Sequence, residues 1–215
     1  MTDFEFQPPI LSYDDINTYA ETFLHRHGID NELPVPIERI VEFELKIDII
    51  PFPNLQRTFD VVGFMSGDLK SIYVDDYIYS NHHARYNFTL AHEVCHFEIH
   101  RALIENIRPS NVSEWEDFID QVDPGTYGWL EYQAYAFAGL VMVPRKFLFD
   151  QYSKQIKTIE DKIEIVKSKG LPKDSYQEYV IETISSNIAG NYDVSISVLN
   201  WRISKEIQIG KLGVP

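Results

Sequence analysis

Apolar residues recur at helical spacing near the start of the chain. In "SYDDINTYAETFLHRHGID", Ile16, Tyr19, Phe23 and Leu24 follow a Ser/Asp start, and Gly28 supplies a stop. A short second helix is expected after Pro36, with Ile37, Ile40 and Val41 on one side. The period then changes. "KIDIIPF", "VVGFMSG" and "SIYVDD" are short β-rich runs separated by turn residues at Pro53–Asn54 and Gly67–Asp68, which predicts a small antiparallel sheet containing a hairpin. From Asn81 to near Glu206 the pattern is mostly helical. No internal repeat or low-complexity tract interrupts it, and the weakest point is "SKGLPKDS", Ser168–Ser175.

One stretch departs from an ordinary buried helix. "RYNFTLAHEVCHFEIH", Arg85–His100, places three histidines and two glutamates among two apolar stripes, Leu90–Val94–Phe97 and Phe88–Cys95–Ile99. With about 100° per residue, His96 falls about 40° and His100 about 80° round the helix from His92. Imidazoles at i and i+4 can aim at one point, and neutral imidazole nitrogen is a favoured zinc ligand. Glu93, one step round, then stands beside that point, where a carboxylate can act as a base. Two helix histidines paired with nearby carboxylates would satisfy the same letters without a metal. A catalytic zinc needs a third protein ligand, and the downstream Gly and His of one large zinc-peptidase class are replaced by Ile99 and Ala102. "EYQAYAFAGLVMVP", Glu131–Pro144, offers Glu131 on a helix whose Ala134 and Ala138 permit close approach. A glutamate favoured by the dipole of a helix's first turn fits that position equally well.

Together, "FTLAHEVCHFEIH" and "EYQAYAFAGLVMVP" resemble the ImmA/IrrE family of metallo-endopeptidases, whose motifs run F-T-x-A-H-E-x-x-H-x-x-x-H and E-x-x-A-x-x-F-A-x-x-L-M-x-P. The likeness extends over roughly residues 13 to 150. It implies an α+β, zincin-like domain, with one zinc held by His92, His96 and Glu131 and with Glu93 as the catalytic residue. It further implies cleavage of a helix-turn-helix repressor of a mobile element or stress regulon. Some members resemble toxin components paired with such a repressor, and a metal-binding module without turnover is a third possibility. Cys95 stands where the family commonly has glycine, and Gln133-Ala134-Tyr135 replaces its usual acidic-Ala-Asn run. Cys95 is expected to be a packed thiol facing away from the metal, and His100 either a neighbour of the site or a cap on its helix. Tyr135, His82, His83 and Tyr86 are candidates to stabilise an oxyanion. The expected division is a zincin-like domain over residues 1–150 and a helical region over 151–215, ending in a helix-turn-helix-like pair packed on the body.

Charge narrows the partners. Thirty-three acidic residues against 19 basic give a net charge of −14, which opposes a phosphate backbone and favours a basic protein partner. In the terminal pair, the second helix carries only Arg202 and Lys205 as cations beside an apolar Val198–Leu199–Trp201–Ile203 set, so direct nucleic-acid binding is not expected. "KTIEDKIEIVKSK" reads as a solvated amphipathic helix. No run reaches the roughly 18–20 apolar residues of a membrane span. The acidic N-terminus lacks a basic-then-apolar signal pattern, and a single cysteine fits a reducing compartment, so the cytoplasm is expected.

Overall fold

A computed structural model describes residues 8–107, 111–170 and 172–214. The acidic N-terminal residues 1–7, and Leu171 within the Ser168–Ser175 stretch, lie outside these. Contacts divide the chain into two units, Met1–Val141 and Met142–Pro215.

In the first unit, α1 (Tyr13–Arg26) starts with a capping box: the Ser12 hydroxyl accepts from the Asp15 N–H while the Asp15 carboxylate accepts from the Ser12 N–H. It buries Tyr13, Ile16, Ala20, Phe23 and Leu24, whereas Tyr19 is 44% exposed, contrary to the expected stripe. The helix packs one position round from that reading, with Ala20 facing inward. Next come α2 (Ile37–Arg39), a π-helical turn (Ile40–Glu44), β1 (Asp48–Phe52), α3 (Leu55–Phe59), β2 (Gly63–Met65) and β3 (Ser71–Asp75). The sheet has the order β1-β3-β2. The hairpin pairs β2 with β3 antiparallel, Phe64 opposite Tyr73, but β1 runs parallel to β3, Ile49 opposite Ile72. The expected antiparallel sheet is therefore mixed. Short α3 turns the chain between β1 and β2, and β3 enters the sheet between them. Asp75 ties this junction: its carboxylate accepts from the N–H groups of Gln56, Tyr77 and Ile78, holding α3 against the start of α4 (Asp76–Asn81).

The chain continues through α5 (His83–Glu98), α6 (Arg101–Ile107), α7 (Val112–Ile119) and α8 (Pro124–Met142). Helix α5 lies against both β2 and β3. It is tied to α1 by a two-pronged ion pair, Arg26 Nη1 to both Glu98 oxygens at 2.8 and 2.9 Å. Helix α8 is apolar nearly all round and buries Leu130, Ala134, Ala136, Phe137, Ala138, Leu140 and Val141, as a helix enclosed on several sides must. Phe137 meets Phe23 of α1 edge-on, with ring centres 5.8 Å apart.

The second unit comprises α9 (Arg145–Thr158), α10 (Glu160–Ser168), α11 (Lys173–Ile188) and α12 (Ile196–Gln208), with a short 3-10 turn, Ala189–Asn191, before α12. The Ser195 hydroxyl caps α12. Its apolar Val198, Leu199 and Ile203 are buried, and so are Arg202 and Glu206, both with side chains 0% exposed and joined at 2.6 Å. Arg145 Nε donates to Glu206 at 2.9 and 3.1 Å, and Arg202 Nη2 donates to the Val143 carbonyl at 3.1 Å. Removing one member of a buried ion pair strands the other charge and typically costs about 3–5 kcal/mol. Glu206→Leu is expected to lose roughly that much, read as a lower urea midpoint of the second unit, while Ile165→Ala, at a site 56% exposed, stays near the parent.

Candidate metal centre

Helix α5 and the middle of α8 deliver the charged side chains to one point. His92 Nε2 lies 3.4 Å from His96 Nε2 and 3.3 Å from Glu131 Oε2, while His96 Nε2 is 3.9 Å from Glu131 Oε1. All three ligand-type atoms fall within 4.8 Å of one another, a set of two imidazoles and one carboxylate that could hold a metal ion. The i,i+4 spacing brings the histidines together on α5, and Glu131 reaches them from α8. The first-turn alternative for Glu131 does not apply, because α8 begins at Pro124, two turns earlier.

These residues line a cleft of about 310 Å³ with Val62, Gly63, Phe64 and Met65 on one side and Tyr127 on another. Gly63 is required there. A Cβ at this position would fall 2.4 Å from Thr89 Cγ2 and 3.1 Å from Glu93 Oε1, so β2 can lie against α5 only if residue 63 has no side chain.

Burial and mutual charge set the protonation states. Desolvation pushes the Glu93 carboxyl up to about 7; His92 opposes this, Glu131 adds to it, and a hydrogen bond from the Met65 N–H opposes it. For His92, desolvation acts downward, but the hydrogen bond and charge of Glu131 prevail and hold the imidazole above its ordinary range. Desolvation, then the neighbouring His100 and His92, keep His96 well below it. Burial likewise brings His100 down to about 4. The site thus combines a neutral, metal-competent imidazole at His96, an imidazole at His92 that favours its proton, and a carboxyl poised near neutrality.

His100 lies just beyond the end of α5, 2% exposed, with Nδ1 3.0 Å from His96 Nδ1 and Nε2 2.9 Å from Gln133 Oε1. Cys95 is fully buried, and desolvation followed by the charges of Glu131, Glu93 and Glu98 raises its thiol well above the ordinary range. Of the suggested oxyanion donors, none lines the cleft: the Tyr86 hydroxyl donates to Glu38 Oε1 at 2.7 Å, Tyr135 packs its ring on Phe88, His83 contacts Asn87 and His82 precedes α5. The sequence reading missed Tyr127. Burial, the charges of Glu131 and Glu93 and a hydrogen bond to Glu131 all raise its phenol, so it stays a proton donor. Its place one helical turn before Glu131 was the available signal.

A His-Glu-x-x-His helix beside a small sheet, completed by a carboxylate from a following helix, defines a zincin-like α+β domain. The family model for the IrrE N-terminal-like domain, Peptidase M78, matches residues 44–204, and the chain belongs to that metallopeptidase family. A comparison with curated proteins gives no match. Among the described residues, no helix is long and apolar enough to cross a membrane.

A pH dependence follows for the metal-free protein. The Glu93 carboxyl binds its proton more tightly when folded, at about 7, than at the ordinary 4.5, so its contribution favours folding at low pH and is lost as pH rises through about 7. Urea midpoints of metal-free protein should fall between pH 5 and pH 8 more steeply than those of Glu93→Gln. Equal slopes would show that the Glu93 proton is bound no more tightly in the fold.

Proposed function

We propose that the protein is a zinc-dependent endopeptidase, on the strength of one observation: the edges of the His92–His96–Glu131 triangle. Bonds of about 2.0–2.1 Å in a tetrahedral site leave neighbouring ligand atoms roughly 3.3–3.4 Å apart, against 3.4 Å between the imidazoles and 3.3 Å from His92 to Glu131, with the third edge, His96 to Glu131, longer at 3.9 Å. The donor set of two imidazole nitrogens and one carboxylate oxygen suits zinc. Zinc held there supplies Lewis acidity toward a scissile carbonyl and toward water. Glu93, buried beside the ligands but outside the triangle, takes the proton from the attacking water at its carboxylate and returns it to the leaving amine nitrogen. A neighbouring cation also favours its ionised form. The Tyr127 hydroxyl, on the same side of α8 as Glu131, donates a hydrogen bond to the carbonyl oxygen as negative charge develops there. An extended substrate segment laid along β2 passes the catalytic carboxylate.

Zinc-loaded protein is expected to hold about one ion per chain, and a His92→Ala, His96→Ala double variant to hold none. Glu93→Gln should keep the ion and lower peptide cleavage by about 10²–10⁴-fold. Metal retained by the double variant, or parent-like cleavage by Glu93→Gln, would count against this assignment.

The proposed substrate is a basic helix-turn-helix repressor governing a mobile element or stress genes. Support comes from the family and from the net charge of −14, which steers a basic protein toward the enzyme and weakens its effect as salt rises. Buried Arg202 leaves α12 without that cation for a phosphate backbone. With a cognate repressor the expectation is cleavage that slows between 0.1 and 1 M salt, with little digestion of casein. Rapid, salt-indifferent casein digestion would point to a general peptidase, and salt-sensitive binding without a cut to a toxin-like partner.

A further inference from the structure

Behind His96, away from the cleft, a chain of hydrogen bonds runs inward and has only one consistent direction. It ends at the Pro9 carbonyl, which can only accept, and which takes a hydrogen bond from Gln133 Nε2 at 2.6 Å. The Gln133 amide is thereby oriented, and its Oε1 faces His100 Nε2 at 2.9 Å. Since Oε1 is also only an acceptor, His100 carries its proton on Nε2. A neutral ring then has a lone pair at Nδ1, 3.0 Å from His96 Nδ1, so that contact requires the His96 proton to be on Nδ1. The remaining nitrogen, His96 Nε2, faces His92 and Glu131 with a lone pair.

We propose that His100 and Gln133 are positioning residues that fix His96 in its Nδ1–H form and aim its Nε2 lone pair at the metal position. The inference rests on the zinc reading above. Reversing any link would bring two lone pairs or two N–H groups together inside the protein. Water offers no relief, because His96, His100 and Gln133 are 5%, 2% and 0% exposed. The same links set the ring plane, since an imidazole held at Nδ1 has little freedom left about its side-chain torsions. In metal sites generally, the group bonded to the far nitrogen of a ligating histidine orients the ring, and its loss weakens metal binding about 10–100-fold. Residues 9, 133 and 100 thus come from three separate parts of the chain and converge on one ligand nitrogen.

The decisive measurement needs no substitution. Long-range proton–nitrogen correlation spectra of zinc-loaded protein should show His96 protonated at Nδ1 and His100 at Nε2; His100 protonated at Nδ1 would overturn the proposal. Chelator competition provides a second readout: Gln133→Leu and His100→Phe should each weaken zinc binding about 10–100-fold. Folded Gln133→Leu with parent affinity would also overturn it, and should that variant fail to fold, the spectra of the unaltered chain decide. Failure of the unaltered protein to bind zinc would instead remove the metal-site reading, and this inference with it.

Discussion

An imidazole buried in a protein has two nitrogens to satisfy, and three in succession, His92 and His96 of α5 and His100 just beyond it, are buried or half-buried. This constraint organises the first unit. The far side of His96 is satisfied by His100 and, through it, by Gln133 of α8; its near side shares a pocket with His92 and Glu131. Helix α8 must therefore face α5 in a set register, so that Gln133 meets His100 while Glu131 meets His92. The Arg26–Glu98 pair fixes the same, C-terminal end of α5 to α1. Polar contacts of this kind contribute little net energy but permit few alternative arrangements, whereas the surrounding Leu90, Val94, Phe137 and Leu140 supply the burial that stabilises the unit.

The same geometry explains why opposite protonation tendencies coexist within a few ångströms. Glu93 has little solvent and a carboxylate neighbour, so it holds a proton near neutral pH; His92 meets Glu131 directly and is biased toward a proton of its own. A cation introduced between His92 and Glu131 would reverse both preferences. Desolvation of Glu93 is the cost the fold carries here, and it makes the site a place where stability and chemistry are opposed.

Much of this was legible in residue order. His92, Glu93 and His96 sit on one helix, so fixed spacing alone dictates their juxtaposition. Glu131 required a second helix to fall at the right distance, and the linked motif rather than periodicity pointed to it. The mixed sheet was hidden because short strands with turn signals look alike whether they pair parallel or antiparallel; only the excursion through α3 and the insertion of β3 decide it. Tyr19 was misplaced because aromatic residues on a helix flank are apolar enough to pass for core. Spacing alone set Tyr127 one turn before Glu131, but whether it reaches the cleft, and the part played by Gln133, depend on which way α8 rotates as it meets α5. Arg202 could be counted only as a cation of the terminal pair, because nothing in sequence says that Glu206, one turn on, is buried with it.

Cys95, on α5 just before His96, does not line the cleft; it is fully enclosed and held in its thiol form. A thiol in that state reacts only when its surroundings part. Its rate of alkylation is therefore an internal clock for the opening of the helix that bears His92 and His96, and any ligand that clamps those two turns should slow it by the same factor by which it suppresses that opening.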